Sequence, residues 1–238
     1  KMFREKKLIA IIPVRKNSKG IKKKNLIKIN GKTLLDRTIQ IAKKNKFIDQ
    51  TIVSTDCRQM FNISKKHGVN DNCLRPKKLS GAKALTTDLV KYIIKKYDLK
   101  KSYILLLQVT SPFRTQKLLN FFLKNFKNKK FFNSSVSISQ FDSPHPYKIQ
   151  IIKNKILHSF LDKESMVPRQ NLPKVFKLNG MFYICDANQI IKNKSFFKQP
   201  VLPFIIKNEF SLNLDTYEDL VILKDKLKNK KFLGKISK

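Results

Sequence analysis

The sequence predicts an α/β protein built on a doubly wound, mostly parallel sheet. Two runs, LIAIIPV at 8–14 and YILLLQ at 103–108, are apolar at nearly every position. Strands covered by helices on both faces read this way. Between such runs lie segments with a helical period, and strand and helix alternate along the chain. Polar segments follow the strands at 15–25, at 108–115 and at Asp215. Open parallel sheets bind ligands at such strand ends, so distant segments would meet at one site.

The elements follow in order. After the strand at 8–14, residues 33–46 carry a helical period. QTIVST at 50–55 reads as a second strand and 57–67 as a short helix. Residues 84–97 read as a helix with Leu85, Leu89, Ile93 and Ile94 on one face. The strand at 103–108 leads through a Thr-Ser-Pro turn to a helix at about 115–128, and 134–140 reads as a strand. From about 142 to 178 the pattern changes. Prolines at 144, 146, 168 and 173 leave no room for a long helix, so this stretch reads as an inserted arm of short strands and loops. GMFYI at 180–184 resumes the strand pattern, and 187–193 is a short helix. VLPFII (201–206) and FSLNL (210–214) are short apolar segments. A closing helix runs from about 216 to 229, and the tail KNKKFLGKISK is expected to fray. The whole reads as one domain, 1–238, with the arm inserted in it.

The chain has 238 residues and a formal charge of +36, from 52 basic and 16 acidic residues. That charge alone points to nucleic acid or an anionic membrane surface. The lysines are dispersed along the whole chain, however, and the basic loop lacks interleaved aromatics. A nucleic-acid binder is therefore the weaker reading. Hydrophobic residues make up 41%, enough for a core, and no run approaches the roughly 20 apolar residues of a membrane span. Cys57, Cys73 and Cys185 are far apart and have no metal-ligand spacing, and His67, His145 and His158 form no ligand pair. Residues 1–14 lack the form of a secretory leader. The expectation is a cytoplasmic protein with free thiols, bound to neither membrane nor nucleic acid.

Several motifs are excluded. GKT at 31–33 would need a glycine at 26 to be a Walker A loop, and position 26 is Leu. GxGxxG and GxSxG are both absent. What remains is the loop at 15–25, RKNSKGIKKKN, with one arginine and five lysines in eleven residues. Arg15 follows the strand directly, Gly20 permits a tight turn, and Lys19 and Lys24 flank it. Arginine offers phosphate a planar fork and lysine a mobile point charge. The scarce acids are equally informative, because five of them (Glu209, Asp215, Glu218, Asp219 and Asp225) fall between 209 and 225. Asp215 is a candidate Mg²⁺ ligand. It is equally a candidate helix N-cap, with Glu218 completing a capping box.

Taken together, the motifs resemble a known family. IIPVRKNSKGIKKKN, CLRPKKL, LLQVTSPFRT, SPHPYK, PRQNLP, KLNGMFYI and LNLDTYEDL run from about 8 to 222. In kind and in order they resemble the segments of the acylneuraminate, or sialic acid-type, cytidylyltransferases. The resemblance implies a Rossmann-like nucleotidyltransferase fold. It also implies Mg²⁺-dependent transfer of CMP from CTP to the anomeric hydroxyl of a nonulosonic acid, with release of pyrophosphate, for surface glycan synthesis. Carried over by position, Arg15, Lys19 and Lys24 bind the triphosphate. Asn25 and Arg75 read the cytosine, with Ser80 nearby. Gln108 and Ser111 lie on the sugar side, and Asn179 stands in the NG before the FYI strand. The segment 142–178 resembles a dimerisation arm, from which Lys148 and Arg169 would reach the acid bound to the other subunit of a homodimer. Asp215 and Asn213 occupy the metal positions, with Arg15, Lys24 and Asp215 carrying the catalysis. The base that takes the hydroxyl proton stays open between Asp215 and a metal-bound hydroxide.

Some positions depart from the family pattern. Lys16 and Asn17 stand where glycine is frequent, Lys22 replaces a proline, and LSGAKA lacks an aspartate. Asn213 stands in place of the first acid of the closing pair, leaving open one metal ion or two. An inactive homologue and a Kdo cytidylyltransferase are the alternative readings.

Overall fold

The computed structural model describes residues 3–16, 20–69, 72–81, 83–141, 143–163, 166–229 and 232–234. In chain order the elements are β1 (Lys7–Val14), β2 (Lys28–Ile29), β3 (Lys32–Thr33), α1 (Leu34–Lys43), β4 (Gln50–Thr55), α2 (Arg58–Lys66), β5 (Asn72–Leu74) and α3 (Thr86–Lys96). They continue with β6 (Ser102–Leu106), α4 (Gln116–Asn128), β7 (Ser134–Gln140), β8 (Gln150–Lys153), β9 (Ile156–Ser159), β10 (Phe176–Asp186), α5 (Ala187–Asn193), β11 (Leu202–Ile205) and α6 (Tyr217–Lys228).

Seven strands form one sheet in the order β11-β7-β10-β6-β1-β4-β5. β1 runs parallel to β4 and β6, as do β4 to β5 and β7 to β11. The chain builds outward from β1 through β4 to β5, then returns to β6 on the other side of β1. The order therefore reverses between β1 and β6, and a crevice opens outside the carboxyl ends there. β10 departs from the parallel pattern and lies antiparallel between β6 and β7.

The unbroken apolar character of β1 is explained by what covers it. Leu8, Ala10 and Ile12 face a core shared with Leu35 and Ile39 of α1 and Phe122 and Phe126 of α4. Ile9 and Ile11 face the opposite core, shared with Leu89, Val90 and Ile93 of α3 and Ile190 of α5. Each fully buried side chain of this size contributes roughly 1.5–3 kcal/mol. Phe122 stacks on Phe182 at 5.0 Å, which ties α4 to β10.

Several expectations are corrected. Leu85 does not share the buried face of α3; it precedes the helix and is 63% exposed. Residues 210–214 form no strand, so Asp215 does not follow one. Their course is set instead by the Leu214 amide, which donates to the Thr110 carbonyl at 2.9 Å. The capping box of α6 belongs to Thr216 and Asp219, one residue later than the expected pair of Asp215 and Glu218. In the tail, Phe232 is buried against Phe113 at 4.7 Å. Among the described residues, no helix is long and apolar enough to cross a membrane.

Candidate active site

A cavity of about 470 Å³ opens at the strand ends where the sheet order reverses. Among the described residues its lining holds three cations, Arg15, Lys24 and Arg75, and one carboxylate, Asp215. Asn25, Gln108, Thr110 and Asn213 add polar groups. Arg15 comes from the end of β1, Arg75 from the end of β5, and Gln108 and Thr110 from the turn after β6.

The basic loop is closed by side chains. Nδ2 of Asn25, itself buried, donates to the Arg15 carbonyl at 3.0 Å and so closes the loop on its own first residue. The Lys16 amide donates to Asp56 Oδ1 at 2.7 Å. Lys24 Nζ reaches across the chain to the Leu214 carbonyl at 3.0 Å and Asp215 Oδ1 at 2.8 Å. Arg15 donates through Nη1 to the Gly81 carbonyl at 3.0 Å. Gly20 serves close approach, because a Cβ at that position would lie 1.9 Å from the Asp215 carbonyl oxygen; the turn expected before it lies outside the described residues. Lys19 lies outside the described residues.

Arg75 is held deeper. It donates to the Ser54 carbonyl at 3.3 Å, while its Nε is buried without a partner. Burial pulls its pKa down to about 10, and the nearby Arg15 pulls the same way against the carboxylate of Asp56.

At the acidic corner, Thr110 Oγ1 donates to Asn213 Oδ1 at 2.5 Å, and Asn213 Nδ2 donates to Asp215 Oδ2. No group of three or more His, Cys, Asp or Glu able to hold a metal ion exists among the described residues. One carboxylate beside an amide suits a magnesium ion whose other ligands are phosphate oxygens and water. It does not suit an ion held by protein alone.

Of the expected site residues, Arg15, Lys24, Asn25, Arg75, Gln108, Asn213 and Asp215 line this cavity. Ser80, Ser111 and Asn179 are not in its lining. Ser80 donates to the Pro76 carbonyl at 3.1 Å, and Ser111 is buried with an unpartnered hydroxyl. Asn179 Oδ1 accepts from Ser137 Oγ at 2.6 Å, and its Nδ2 is buried and unpartnered. Lys148 and Arg169 are exposed, on single turns of the arm.

Sequence reasoning missed three residues. Thr110 orients Asn213. Gly180, at φ 74°, brings β10 so near that a Cβ there would lie 2.7 Å from Gln108 Oε1. Arg114 is buried, with no acidic partner among the described residues. Its guanidinium donates to the Gln108 carbonyl at 2.5 Å and the Met181 carbonyl at 2.9 Å, and burial pulls its pKa down to about 9. It clamps the end of β6 to β10 beneath the cavity.

A family model described as Cytidylyltransferase matches residues 9–221. The N-acylneuraminate cytidylyltransferase of Escherichia coli is 30% identical over 90% of this chain and 50% of that protein. The chain thus spans about half the length of that relative, and 52% of a Streptococcus agalactiae enzyme of the same name. The CMP-N,N'-diacetyllegionaminic acid synthase of Legionella pneumophila is 29% identical over 88% of this chain and 91% of its own. A solved CMP:2-keto-3-deoxy-manno-octonic acid synthetase complexed with CTP superposes with a TM-score of 0.66, at 12% identity, over 92% of this chain and 97% of that one. That likeness shows the fold.

Proposed function

The chain belongs to the cytidylyltransferase family, and from that membership we propose that it transfers CMP from CTP to the anomeric hydroxyl of a nonulosonic acid, releasing pyrophosphate. The sialic, legionaminic and pseudaminic acids are the candidate acceptors, because relatives carry these names. The observation that carries the reading is the cavity itself, where Arg15 and Lys24 of the loop after β1 and Arg75 from the end of β5 face one carboxylate.

Arg15 and Lys24 grip the triphosphate, in keeping with the guanidinium fork and the mobile ammonium. Asn25, at the far end of the loop, and Arg75, from the end of β5, hold the cytosine. Lys24 leaves Asp215 as the phosphates arrive and stabilises charge on the departing pyrophosphate. Asp215, released, faces the reacting centre. Magnesium would be held by Asp215 and would supply further neutralisation of phosphate charge. Free thiols at Cys57, Cys73 and Cys185 accord with a cytoplasmic setting.

The arm supports a homodimer. Among the described residues β8 and β9 pair only with each other, and Ile152, Leu157 and Met166 are 76%, 66% and 84% exposed. An isolated hairpin is marginal in water, and Ile152 and Leu157, paired across it, expose an apolar face of the kind that marks an interaction site. A second subunit would cover it and receive Lys148 and Arg169 near its sugar.

The test is to incubate the protein with CTP, Mg²⁺ and a panel of nonulosonic acids and to measure pyrophosphate. Release that depends on one of these acids supports the proposal. Release with Kdo alone moves the acceptor to the eight-carbon acid. CTP binding without release indicates an inactive homologue. Salt-sensitive DNA binding with no pyrophosphate overturns the proposal.

A further inference from the structure

Asp215 has both carboxylate oxygens engaged. Oδ1 accepts from Lys24 at 2.8 Å, and Oδ2 accepts from Asn213 Nδ2. The ammonium is fixed in turn by the Leu214 carbonyl at 3.0 Å. The orientation of the Asn213 amide follows from its partners. A carboxylate can only accept, so the NH₂ group must face Asp215, which leaves Oδ1 for the Thr110 hydroxyl at 2.5 Å. The amide oxygen of Asn213 therefore points to Thr110 and away from the carboxylate. Lys24 and Asp215 together carry no net charge, and a hard divalent cation gains little from such a corner.

From this we propose that Asn213 makes divalent-cation binding conditional on nucleotide. Without CTP, Lys24 and Asn213 latch Asp215 and the site takes no cation. With CTP, the triphosphate draws Lys24 away and the cation enters with the phosphates. The inference rests on the cytidylyl-transfer reading and concerns only how the metal joins that site. Binding of the two ligands is then positively coupled, and the coupling is reciprocal. An acid at 213 would remove the NH₂ donor and add a negative charge, creating a site that needs no nucleotide.

Calorimetric titration with Mn²⁺ as the probe tests this on wild type and Asn213→Asp, alongside CTP titrations in Mn²⁺ and in EDTA. Wild type without nucleotide should show no saturable Mn²⁺ binding up to about 1 mM, and Mn²⁺ should tighten CTP by at least ~10-fold. Asn213→Asp should bind Mn²⁺ without nucleotide, at least ~10-fold tighter than wild type. Saturable Mn²⁺ binding by nucleotide-free wild type overturns the latch, as does a folded Asn213→Asp, checked by circular dichroism, that binds no tighter. If that variant does not fold, the nucleotide-free wild-type titration decides alone. Failure of CTP to bind wild type at all would instead strike the cytidylyl-transfer reading, because the nucleotide-free arms do not depend on it.

Discussion

The rim of the cavity and the arm are both lysine-containing surface segments, yet they are held in opposite ways. The rim is closed by its own chain: Asn25 on Arg15, Lys16 on Asp56, Lys24 on Leu214 and Asp215, and Gly20 against the Asp215 carbonyl. The arm satisfies its backbone through β8 and β9 but leaves Ile152, Leu157, Phe160 and Met166 in solvent. One region is closed within the chain, and the other leaves an apolar face that the proposed homodimer would cover. Nucleotide binding should therefore be a property of the single chain, while acceptor handling should depend on assembly.

The sharpest break in this comparison is Arg15→Ala. It removes a cation from the closed region, and kcat/KM for CTP should fall two to three orders of magnitude, with circular dichroism unchanged. Gly20→Ala comes next. Its Cβ must push the loop off Asp215, and misplacement of that kind costs on the order of 100-fold in kcat/KM. The double change Ile152→Asp with Leu157→Asp attacks the apolar face of the other. Light scattering should report a monomer, CTP affinity should stay within about 2-fold, and turnover should fall on the order of tenfold as the partner's cation is withdrawn.

The smallest effect lies outside both regions. Burial pushes the Asp36 carboxyl up, but hydrogen bonds from Thr33 and His67 outweigh it and hold the group below its ordinary 3.8. A depressed carboxylate stabilises the fold above its unfolded pKa and loses that contribution as pH falls through the folded value. Asp36→Asn should therefore cost about 1 kcal/mol near neutral pH, by thermal melts, with the difference closing below pH 3.8.

What the sequence made legible follows from how local each signal is. β1 and β6 were readable because burial on both faces leaves an unbroken apolar run. The helices at α1 and α4 were readable from their period, with Thr33 and Thr115 capping them. The prolines marked where the helical pattern breaks off after β7, but not that β10 begins at Phe176, within the stretch read as an arm. The rim was readable only as motifs, since its contacts join residues far apart in the chain. Gly20 reads as a turn until Asp215 is seen against it. Arg114 and Gly180 acquire their positions only because β10 inserts antiparallel beside β6, and no local pattern reports strand direction. The α6 cap was misplaced by one residue, because D-T-Y-E and T-Y-E-D offer the same chemistry in adjacent frames.

The central claim is that this cavity passes the α-phosphorus of CTP to a nonulosonic acid. The direct measurement uses CTP radiolabelled at that phosphorus, mixed with the protein, Mg²⁺ and the acids singly. The account predicts acid-dependent transfer of label into a CMP-sugar, lost in Arg15→Ala. Label that stays in CTP with every acid, or that appears as free CMP whether or not an acid is present, would contradict it.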